Sequence, residues 1–407
     1  MKSIKFIHTA DLHLDSPFKG LRYLPDRIHS QVQESTFESF TRIVSYAIKE
    51  KVDFVLIAGD IYDGQDRSLK AQARFKKELV RLERENIKVY IIHGNHDHLS
   101  GNWVPIEWPS NVVFFSDDVE CKRFEKDNGA IVHIYGFSYP TREVLERRVK
   151  QYEKVDEADF HIGMLHGQAE GNTEHASYAP FTVKELVEKG FNYWALGHIH
   201  QFQKLSSSIL YPGNIQGRNK KEIGDKGCIL AELTSYDLKT TFFPTAKIIW
   251  DEIEVDLSNL NSLQELMNTA EEKKEEQRRN DNGKIIIIKY FGRNRIHLPQ
   301  KDELLEILND GEEYRRDFVW VVDIENKSVT DWNREKLRQE EHVTGDIVNL
   351  VDRYKEDKAF HEEVCKEIMS HSKGKRFFEK FTSEDEQKII EEAEDLILST
   401  LVKEWEE

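Results

Sequence analysis

The first 245 residues alternate short runs of hydrophobic residues with longer segments in which hydrophobic positions recur every three or four residues. Short apolar runs bounded by turn residues are typical of buried strands, and the longer periodic segments are typical of amphipathic helices. The predicted strands are residues 4–7, 54–58, 89–92, 112–115, 131–137, 160–165, 193–196 and 229–233, and the predicted helices are residues 27–50 and 68–86, with Ser68 as an N-cap. This alternation predicts an α/β fold with a mainly buried sheet.

The pattern changes near Trp250, where the spacing of strands and helices predicts a second, smaller α/β unit. Its predicted strands are residues 253–255, 284–290 and 318–324, and its predicted helices are residues 260–279 and 301–308. We therefore expect three domains, which comprise residues 1–248, residues 249–340 and residues 341–407.

Beyond residue 343 only helical periodicity remains. Helical stripes are predicted at residues 347–354, 360–368 and 389–401, with a break at residues 370–375. Ser383 and Glu386 have the spacing of a capping box at the start of the last helix. Because the stripes are too narrow to form a core of their own, we expect them to pack on this protein or on a partner.

Composition and cysteine content narrow the class of protein. Of the 407 residues, 39% are hydrophobic and 11% are aromatic, enough to form a core. No apolar run approaches the roughly 18 residues of a membrane span, and the first residues lack the pattern of a signal peptide. Three widely spaced cysteines, Cys121, Cys228 and Cys365, exclude a disulfide scaffold and a zinc ribbon, and they favour a reducing cytoplasm.

The net charge of −17 is unevenly distributed. Residues 301–407 carry 17 basic and 31 acidic side chains, whereas residues 1–300 are close to neutral. The negative charge of an acidic protein ordinarily disfavours binding of phosphate. Residues 1–300 are close to neutral, however, and they could bind phosphate if metal ions supply positive charge.

Polar motifs follow five of the predicted strands. They are Asp11-Leu12-His13, Gly59-Asp60-Ile61-Tyr62-Asp63, Gly94-Asn95-His96-Asp97, His166-Gly167 and Gly197-His198-Ile199-His200. Ligand sites collect at the carboxyl ends of strands in α/β sheets, so we expect these side chains to converge. Their carboxylate, amide and imidazole groups, without a thiolate, suit Mn, Fe or Zn, and a bridging carboxylate could hold two ions.

Each motif taken alone has a structural explanation. Asp11 and Asp60 could cap helices, Asn95 could serve a turn, and a lone His166 after a strand could be a hydrogen-bonded rim histidine. Their joint occurrence, in order and each at the end of a strand, favours a centre of two metal ions.

In this order the motifs resemble the calcineurin-like metallophosphoesterase superfamily, whose pattern is D-x-H, G-D-x-x-D, G-N-H-D, H and G-H-x-H. Residues 6–14, 57–63 and 165–167 further resemble the SbcD branch of DNA-repair nucleases, and within that branch the YhaO-type proteins. The resemblance covers residues 1 to about 245. It implies a β-sandwich with flanking helices, a smaller α/β capping domain and a helical C-terminal tail.

The resemblance also implies roles for individual residues. The expected metal is Mn²⁺. One ion would be bound by Asp11, His13, Asp60 and His200, and a second by Asp60, Asn95, His166 and His198, with Asp60 bridging. The nucleophile would be a hydroxide held between the ions. His96 would stabilise the transition state or protonate the leaving oxygen, and Asp97 would orient it. His8, His93 and His98 match no ligand position, and we expect them to be structural or solvent-facing.

The implied function is a metal-dependent phosphodiesterase, a DNA exonuclease in repair. Its expected partners are DNA, a second copy of the chain, and an SMC-like coiled-coil ATPase (SbcC- or YhaN-like) bound through the C-terminal helices. Two basic segments, Arg218 with Lys220 and Lys221, and Arg293 with Arg295, are either DNA contacts or solvated loop charges. A small-molecule phosphoesterase and an inactive metal-bound scaffold are the alternatives.

Overall fold

Two units make up the chain. The computed structural model describes residues 2–18, 21, 24–64, 68–102, 104–170, 178–279, 282–332, 334–339, 341–357, 359–360, 363, 366 and 382–405. The first unit comprises Met1–Asp251, Gln277–Ile286 and Asn309–Trp320, and the second comprises Glu252–Glu276, Ile287–Leu308 and Val321–Glu407. The predicted division at residues 248 and 340 stays a prediction.

The first unit contains all eight strands that were predicted before residue 245. In chain order its strands are β1 (Ser3–Thr9), β2 (Phe54–Ala58), β3 (Lys88–Ile92), β4 (Val112–Phe114), β5 (Glu120–Glu125), β6 (Ile131–Gly136), β7 (Phe160–His166), β8 (Tyr193–Gly197), β9 (Gln203–Lys204), β10 (Ile209–Tyr211), β11 (Gly227–Thr234) and β12 (Leu238–Pro244). Its helices are α1 (Asp26–Glu50), α2 (Leu69–Arg84) and α3 (Val183–Glu188). Sequence patterns missed β5, β9, β10, β12 and α3, because most of these strands lie at sheet edges and lack a long apolar run.

Two six-stranded sheets form a β-sandwich. The first has the order β12-β11-β1-β2-β3-β4. Strands β1 to β4 are parallel to one another, and β11 is antiparallel to both of its neighbours, β1 and β12. The second has the order β5-β6-β7-β8-β10-β9, with a parallel centre of β6, β7, β8 and β10. The mixed α/β sandwich confirms the expected fold class.

Alternate residues of each strand face different layers. Phe6 and Phe54 belong to the cluster between the two sheets, where they meet Ile162 and Met164 of β7. Ile7 belongs instead to the cluster under helices α1 and α2. Because side chains alternate along a strand, one continuous apolar run fills both layers.

The flanking helices begin and end at residues whose chemistry explains the boundary. Ser68 caps α2 as predicted, because its hydroxyl accepts a hydrogen bond of 3.0 Å from the backbone N–H of Ala71. Helix α1 ends where Lys51 adopts a left-handed conformation (φ 51°), and the N–H of Lys51 bonds back to the last turn.

The remaining elements follow Thr245. The strands are β13 (Ile248–Asp256), β14 (Gly283–Phe291), β15 (Arg293–Asn294), β16 (Val319–Asn326) and β17 (Val329–Thr330), and the helices are α4 (Leu263–Glu275), α5 (Lys301–Asn309), α6 (Arg334–Arg338), α7 (Val343–Glu356) and α8 (Ser383–Trp405). Strands β13, β14 and β16 form one sheet in the order β13-β14-β16, and β15 pairs with β17 in parallel. The three predicted strands and two predicted helices after Trp250 are all present. No helix in the described ranges is both long and apolar enough to cross a membrane.

The described part of the tail packs within the second unit. Leu337, Val348 and Leu398, from helices α6, α7 and α8, form a small buried cluster. Arg334 joins these helices by ion pairs to Asp352 (2.5 Å) and to Glu394 (2.9 Å). The tail therefore folds partly on its own chain, although other apolar residues of α8 stay exposed.

The cap of α8 lies one residue earlier than predicted. Thr382 accepts a hydrogen bond from the N–H of Asp385 (3.2 Å), and the carboxylate of Asp385 accepts one from the N–H of Thr382 (2.9 Å). This is the reciprocal arrangement that was expected of Ser383 and Glu386. Residues 364 and 368 of the predicted middle stripe, and the break at residues 370–375, lie outside the described residues.

We expect Gly163→Ala to destabilise the sandwich. A Cβ at Gly163 would lie 2.4 Å from Cε3 of Trp194, whose ring is buried and whose Nε1 donates to the carbonyl of Leu186 (3.1 Å). Overpacking of this kind lowers the free energy of unfolding by about 1–3 kcal/mol. Urea unfolding followed by tryptophan fluorescence measures the change.

The matched control is Gly64→Ala, because an added Cβ there meets no atom within 4 Å. Equal stability of the two variants would contradict a rigid contact between Gly163 and Trp194.

Candidate metal centre

The polar motifs converge at the carboxyl ends of strands from both sheets. Asp11 and His13 follow β1, Asp60 follows β2, and Asn95 follows β3, all in the first sheet. His166 ends β7, and His198 and His200 follow β8, in the second sheet. Backbone hydrogen bonds of 3.0 Å from the N–H of Asp11 to the carbonyl of Gly59, and from the N–H of His13 to the carbonyl of Asp60, hold the first two loops together.

Four of these residues have left-handed backbone conformations. The φ angles are 50° for Asp11, 42° for His13, 52° for Asp60 and 98° for His198. A residue other than glycine costs on the order of 1–3 kcal/mol in such a conformation, and such residues cluster at functional sites. These four backbone conformations therefore lower the stability of the fold, and they direct the four side chains towards one another.

Two glycines allow the loops to approach each other. A Cβ at Gly94 would lie 2.3 Å from Oδ1 of Asp60, and a Cβ at Gly197 would lie 1.9 Å from the carbonyl oxygen of Ala58. Any side chain at either position would separate the strands that carry the site. The glycines before Asn95 and His198 therefore permit the close approach of these loops.

Asp60 lies at the centre of the group. Its Oδ2 is 3.4 Å from Nε2 of His166 and 4.0 Å from Nε2 of His13, and its Oδ1 accepts a hydrogen bond of 2.9 Å from the N–H of His96. The carboxylate is buried and contacts groups from three other loops. It can therefore face two ligand clusters at once.

On one side of Asp60, Asp11, His13 and His200 offer ligand atoms that all lie within 4.8 Å of one another. The Nε2 atoms of His13 and His200 are 3.1 Å apart, and Nε2 of His200 is 3.9 Å from Oδ1 of Asp11. On the other side, Oδ1 of Asn95 is 3.0 Å from Nε2 of His166 and 3.2 Å from Nδ1 of His198. The structure thus brings together all seven residues singled out in the sequence.

The electrostatics of the cluster fit divalent cations. Burial lowers the pKa of His13 to about 3 and that of His198 to about 3, so both imidazoles are neutral at pH 7 and have a lone pair to offer. Burial alone opposes ionisation of Asp60, but the charge and hydrogen bond of His166 hold its pKa well below the usual value. Neutral imidazoles and carboxylates crowded in a buried site are the donors that Mn, Fe and Zn take.

His166 carries the compensating proton. Burial opposes its protonation, yet the charge and hydrogen bond of Asp60 raise its pKa to about 9. Its Nδ1 lies 2.9 Å from the carbonyl oxygen of Ala58, so Nδ1–H donates there and Nε2 faces Asp60 and Asn95. A backbone acceptor that orients a ligating histidine in this way is typical of metal sites.

Comparisons with known proteins agree with this geometry. Residues 4–202 match the model of the calcineurin-like phosphoesterase family. The chain is also similar to the uncharacterized metallophosphoesterase YhaO of Bacillus subtilis, at 37% identity over 99% of both chains. The chain belongs to the calcineurin-like phosphoesterase family. Proteins of this family use a centre of two metal ions, and the cluster around Asp60 holds the candidate ligands.

More distant relatives carry a DNA-repair name. The chain is 25% identical to the DNA double-strand break repair protein Mre11 of Sulfolobus acidocaldarius, over 85% of this chain and 88% of the relative. It is 26% identical to the protein of the same name from Methanocaldococcus jannaschii, over 65% of this chain and 73% of the relative. These similarities extend beyond the part that matches the family model.

Charged side chains contact the outer side of the His200 ring. Nδ1 of His200 lies 2.8 Å from Oε1 of Glu222, and a guanidinium nitrogen of Arg218 lies 3.2 Å from the same oxygen. Arg218 also pairs with Asp63 at 2.6 Å. Because an ionised carboxylate only accepts, Nδ1–H of His200 donates to Oε1 of Glu222, and the lone pair on Nε2 faces His13.

These ion pairs give Arg218 a different environment from Lys220 and Lys221, with which it was predicted to contact DNA. Its side chain is only 14% exposed and is committed to Asp63 and Glu222, whereas Lys220 and Lys221 are exposed. Burial raises the pKa of Glu222, but His200 and Arg218 together hold it well below the usual value. Asp63 was visible in the Gly-Asp-x-x-Asp motif, but no sequence signal marked Glu222.

The other predicted basic segment is also paired. Arg293 forms an ion pair with Asp395, and Arg295 forms one with Asp331 at 3.1 Å. Both arginines are exposed, and their charge is partly neutralised by these carboxylates.

His96 lies at the edge of the cluster, and its ring offers a ligand atom within 4.8 Å of those of His13 and Asp63. Its Nδ1 is 3.4 Å from the carbonyl oxygen of Asp63, and its side chain lines a cavity of about 620 Å³ together with Asn95 and Arg218. The expected orientation of His96 by Asp97 stays a prediction. The carboxylate of Asp97 accepts hydrogen bonds from the N–H groups of Gly94 (2.7 Å) and Ile61 (2.9 Å), so it shapes the loop.

The remaining histidines near the motifs are structural. Both ring nitrogens of His8 are engaged, by the hydroxyl of Tyr193 (2.9 Å) and by the carbonyl of Leu196 (3.0 Å). His93 is buried with its Nδ1 at 3.2 Å from Asp97, and His98 is buried against Ser100.

We expect Glu222→Gln to weaken metal binding. The neutral amide of glutamine is a weaker acceptor for Nδ1–H of His200 than the carboxylate and can also turn its NH2 group towards Nδ1. The tautomer and ring orientation of His200 are then less well fixed, and such changes lower metal affinity by about 10–100-fold. Calorimetric titration of the metal-free protein with Mn²⁺ measures the effect.

Glu78→Gln is the matched control, because Glu78 is also an arginine-paired glutamate of low exposure (12% against 10% for Glu222). Unchanged Mn²⁺ affinity in Glu222→Gln would show that His200 needs no orienting carboxylate.

Proposed function

We propose that this protein is a metal-dependent nuclease that hydrolyses phosphodiester bonds of DNA during repair or processing, with two Mn²⁺ ions. The observation that carries the proposal is the set of candidate ligands around Asp60, with His96 at the edge of that set and at the wall of a cavity. The DNA double-strand break repair proteins among its relatives support DNA as the substrate.

The ligand assignment is part of this proposal. Asp11, His13, Asp60 and His200 hold one ion, and Asp60, Asn95, His166 and His198 hold the other. When bound, the two cations supply Lewis acidity and lower the pKa of water. His166 gives up its proton as the ions load, and the acceptor at Ala58 keeps its Nε2 directed at Asp60.

His96 acts on the substrate and not on the ions. Its backbone N–H is tied to Asp60 at 2.9 Å, and its half-buried ring lines the cavity that the substrate enters. In this position the imidazole can protonate the leaving oxygen or stabilise charge in the transition state.

A small-molecule phosphoesterase is the second candidate function. The cavity beside His96 has the volume of a site for a nucleotide-sized ligand, and such an enzyme would use the same metal centre.

The reducing cytoplasm stays the expected compartment, supported by the free thiols of Cys121 and Cys228.

The decisive experiment is hydrolysis in Mn²⁺ of labelled single- and double-stranded DNA, beside bis(p-nitrophenyl) phosphate and p-nitrophenyl phosphate. We expect cleavage of DNA and of the diester, and loss of both in Asp60→Ala, because that carboxylate serves both ions. Hydrolysis of the monoester alone would favour a small-molecule phosphatase. DNA cleavage in Asp60→Ala within tenfold of wild type would refute the assignment.

We expect His96→Ala to retain two metal ions and to lose turnover by about 10²–10⁴-fold, the usual contribution of general acid catalysis. Metal content by mass spectrometry and kcat on DNA are the measurements, and His29→Ala on helix α1 is the control. Loss of an ion in His96→Ala would make His96 a ligand.

The partners belong to the same proposal, which includes a homodimer and an SMC-like ATPase bound by the C-terminal helices. Ile389, Leu396 and Ile397 of α8 are 47%, 70% and 46% exposed. They recur at helical spacing opposite the buried Leu398, so α8 has an apolar face that its own unit leaves open. An acidic helix with an apolar face suits a basic groove on a partner.

We expect the double variant Ile389→Glu, Leu396→Glu to stay folded and to bind the SMC-like ATPase of the same organism at least tenfold more weakly, because both side chains are solvent-exposed anchors. Co-purification and titration measure binding. Ile307→Glu, at an equally exposed apolar residue of α5, is the control. Unimpaired binding by the double variant would remove this face from the interface.

A further inference from the structure

We infer that the cavity beside His96 is a subsite for the nucleotide next to the scissile phosphate, and that Arg142 binds a second phosphate carried by that nucleotide. The inference deepens the proposed function and rests on its metal centre. It specifies what kind of phosphodiester the protein prefers.

The size of the cavity is the first observation. Its volume of about 620 Å³ lies in the range of sites for nucleotide-sized ligands and exceeds what one phosphate group needs. Asn95 and His96 form one wall, so the cavity opens directly from the metal centre. A phosphodiester held at the centre would therefore extend one of its two substituents into this space.

The lining suits a nucleoside. Pro17 and Phe18 supply an apolar surface, and Ser16 and Asn219 supply polar groups. Phe18 is buried and has a left-handed backbone (φ 42°), a costly conformation for an aromatic residue. An apolar wall flanked by polar groups can contact both a base and a sugar.

The charges of the lining single out Arg142. Arg218 is already paired with Asp63 (2.6 Å) and Glu222 (3.2 Å), so its charge is neutralised by the protein. Arg142 is exposed, lines the same cavity, and has no hydrogen bond or ion pair to any residue that the structure describes. It is thus the cavity arginine whose charge is available to a ligand.

A guanidinium available at the edge of a nucleotide-sized cavity is suited to phosphate, which it binds through paired N–H donors. The scissile phosphate belongs to the metal centre, so the phosphate at Arg142 is a second one. Substrates with two phosphates on one nucleoside, such as a DNA strand, gain this contact. Diesters with a single phosphate do not.

The test uses a series of small chromogenic substrates with the Mn²⁺-loaded protein. The substrates are thymidine 5′-(p-nitrophenyl phosphate) and thymidine 3′-(p-nitrophenyl phosphate), each with and without a second phosphate on the remaining hydroxyl. The two isomers cover both polarities, and the gain in kcat/KM from the second phosphate isolates the subsite.

In wild type we expect the second phosphate to raise kcat/KM by about 10–100-fold in one isomer, the usual effect of a charged hydrogen bond. The gain should vanish in Arg142→Ala, recover in part in Arg142→Lys, and persist in Arg84→Ala, an exposed arginine of α2 outside the cavity. Calorimetric binding of thymidine 3′,5′-bisphosphate should weaken in Arg142→Ala by the same factor.

Three results would overturn the inference. They are no gain from the second phosphate in wild type, an undiminished gain in Arg142→Ala, or an equal loss on substrates with one and with two phosphates. Failure of the proposed nuclease is distinguishable, because it would leave DNA uncleaved while the dependence of the two-phosphate nucleotides on Arg142 remained.

Discussion

The buried carboxylate of Asp60 is the group on which the rest of the site depends. One oxygen accepts from the N–H of His96, and the other faces His166 of the opposite sheet. Its negative charge holds a proton on His166, and that pair is the main compensation for charge inside the cluster. A buried charge is tolerated only when such partners surround it. The two sheets are thereby joined through one carboxylate at their carboxyl edge.

In the second sheet, two tyrosine hydroxyls bind backbone carbonyls beside the candidate metal ligands. Tyr139 donates to the carbonyl of His166, and Tyr211 donates to the carbonyl of Gly167, both at 2.7 Å. These bonds satisfy backbone acceptors where β7 ends, at a point where the strand ladder stops. Because interiors are tightly packed, a strand end held in this way has little freedom to move. The candidate ligand His166 is therefore positioned through its backbone carbonyl and through the edge-to-face contact of its ring with Tyr139.

Charge is unevenly distributed in the molecule. The acidic excess lies mainly in residues 301–407, away in sequence from the motifs. Within the site, the arginine closest to His200 is neutralised by Asp63 and Glu222. Such a paired arginine orients ligands but does not attract an anion strongly. Under the proposed function, the positive charge that attracts phosphate comes from the metal ions and from cations that the protein leaves unpaired.

The sequence by itself determined what depends on local pattern. Eight strands of the first unit were predictable because each has an apolar run, which is mostly buried in seven of them and half-buried in β4. Asp60 and the six other candidate ligands were predictable because each lies at or just after the end of such a strand, and strand ends share one edge. The edge strands β5, β9 and β12 were not, since they lack that run.

Only the tertiary structure decided which partners these residues have. Arg218 and Asp63 are 155 positions apart, so no local pattern could reveal that this arginine is buried beside His200. Thr382 with Asp385 and Ser383 with Glu386 have the same spacing, and the choice between them depends on where the packed helix begins. Sequence patterns record which side chains a strand end carries. Distances between side chains from separate strands arise only when the sheets pack together, because that packing sets the register of every loop at the shared edge.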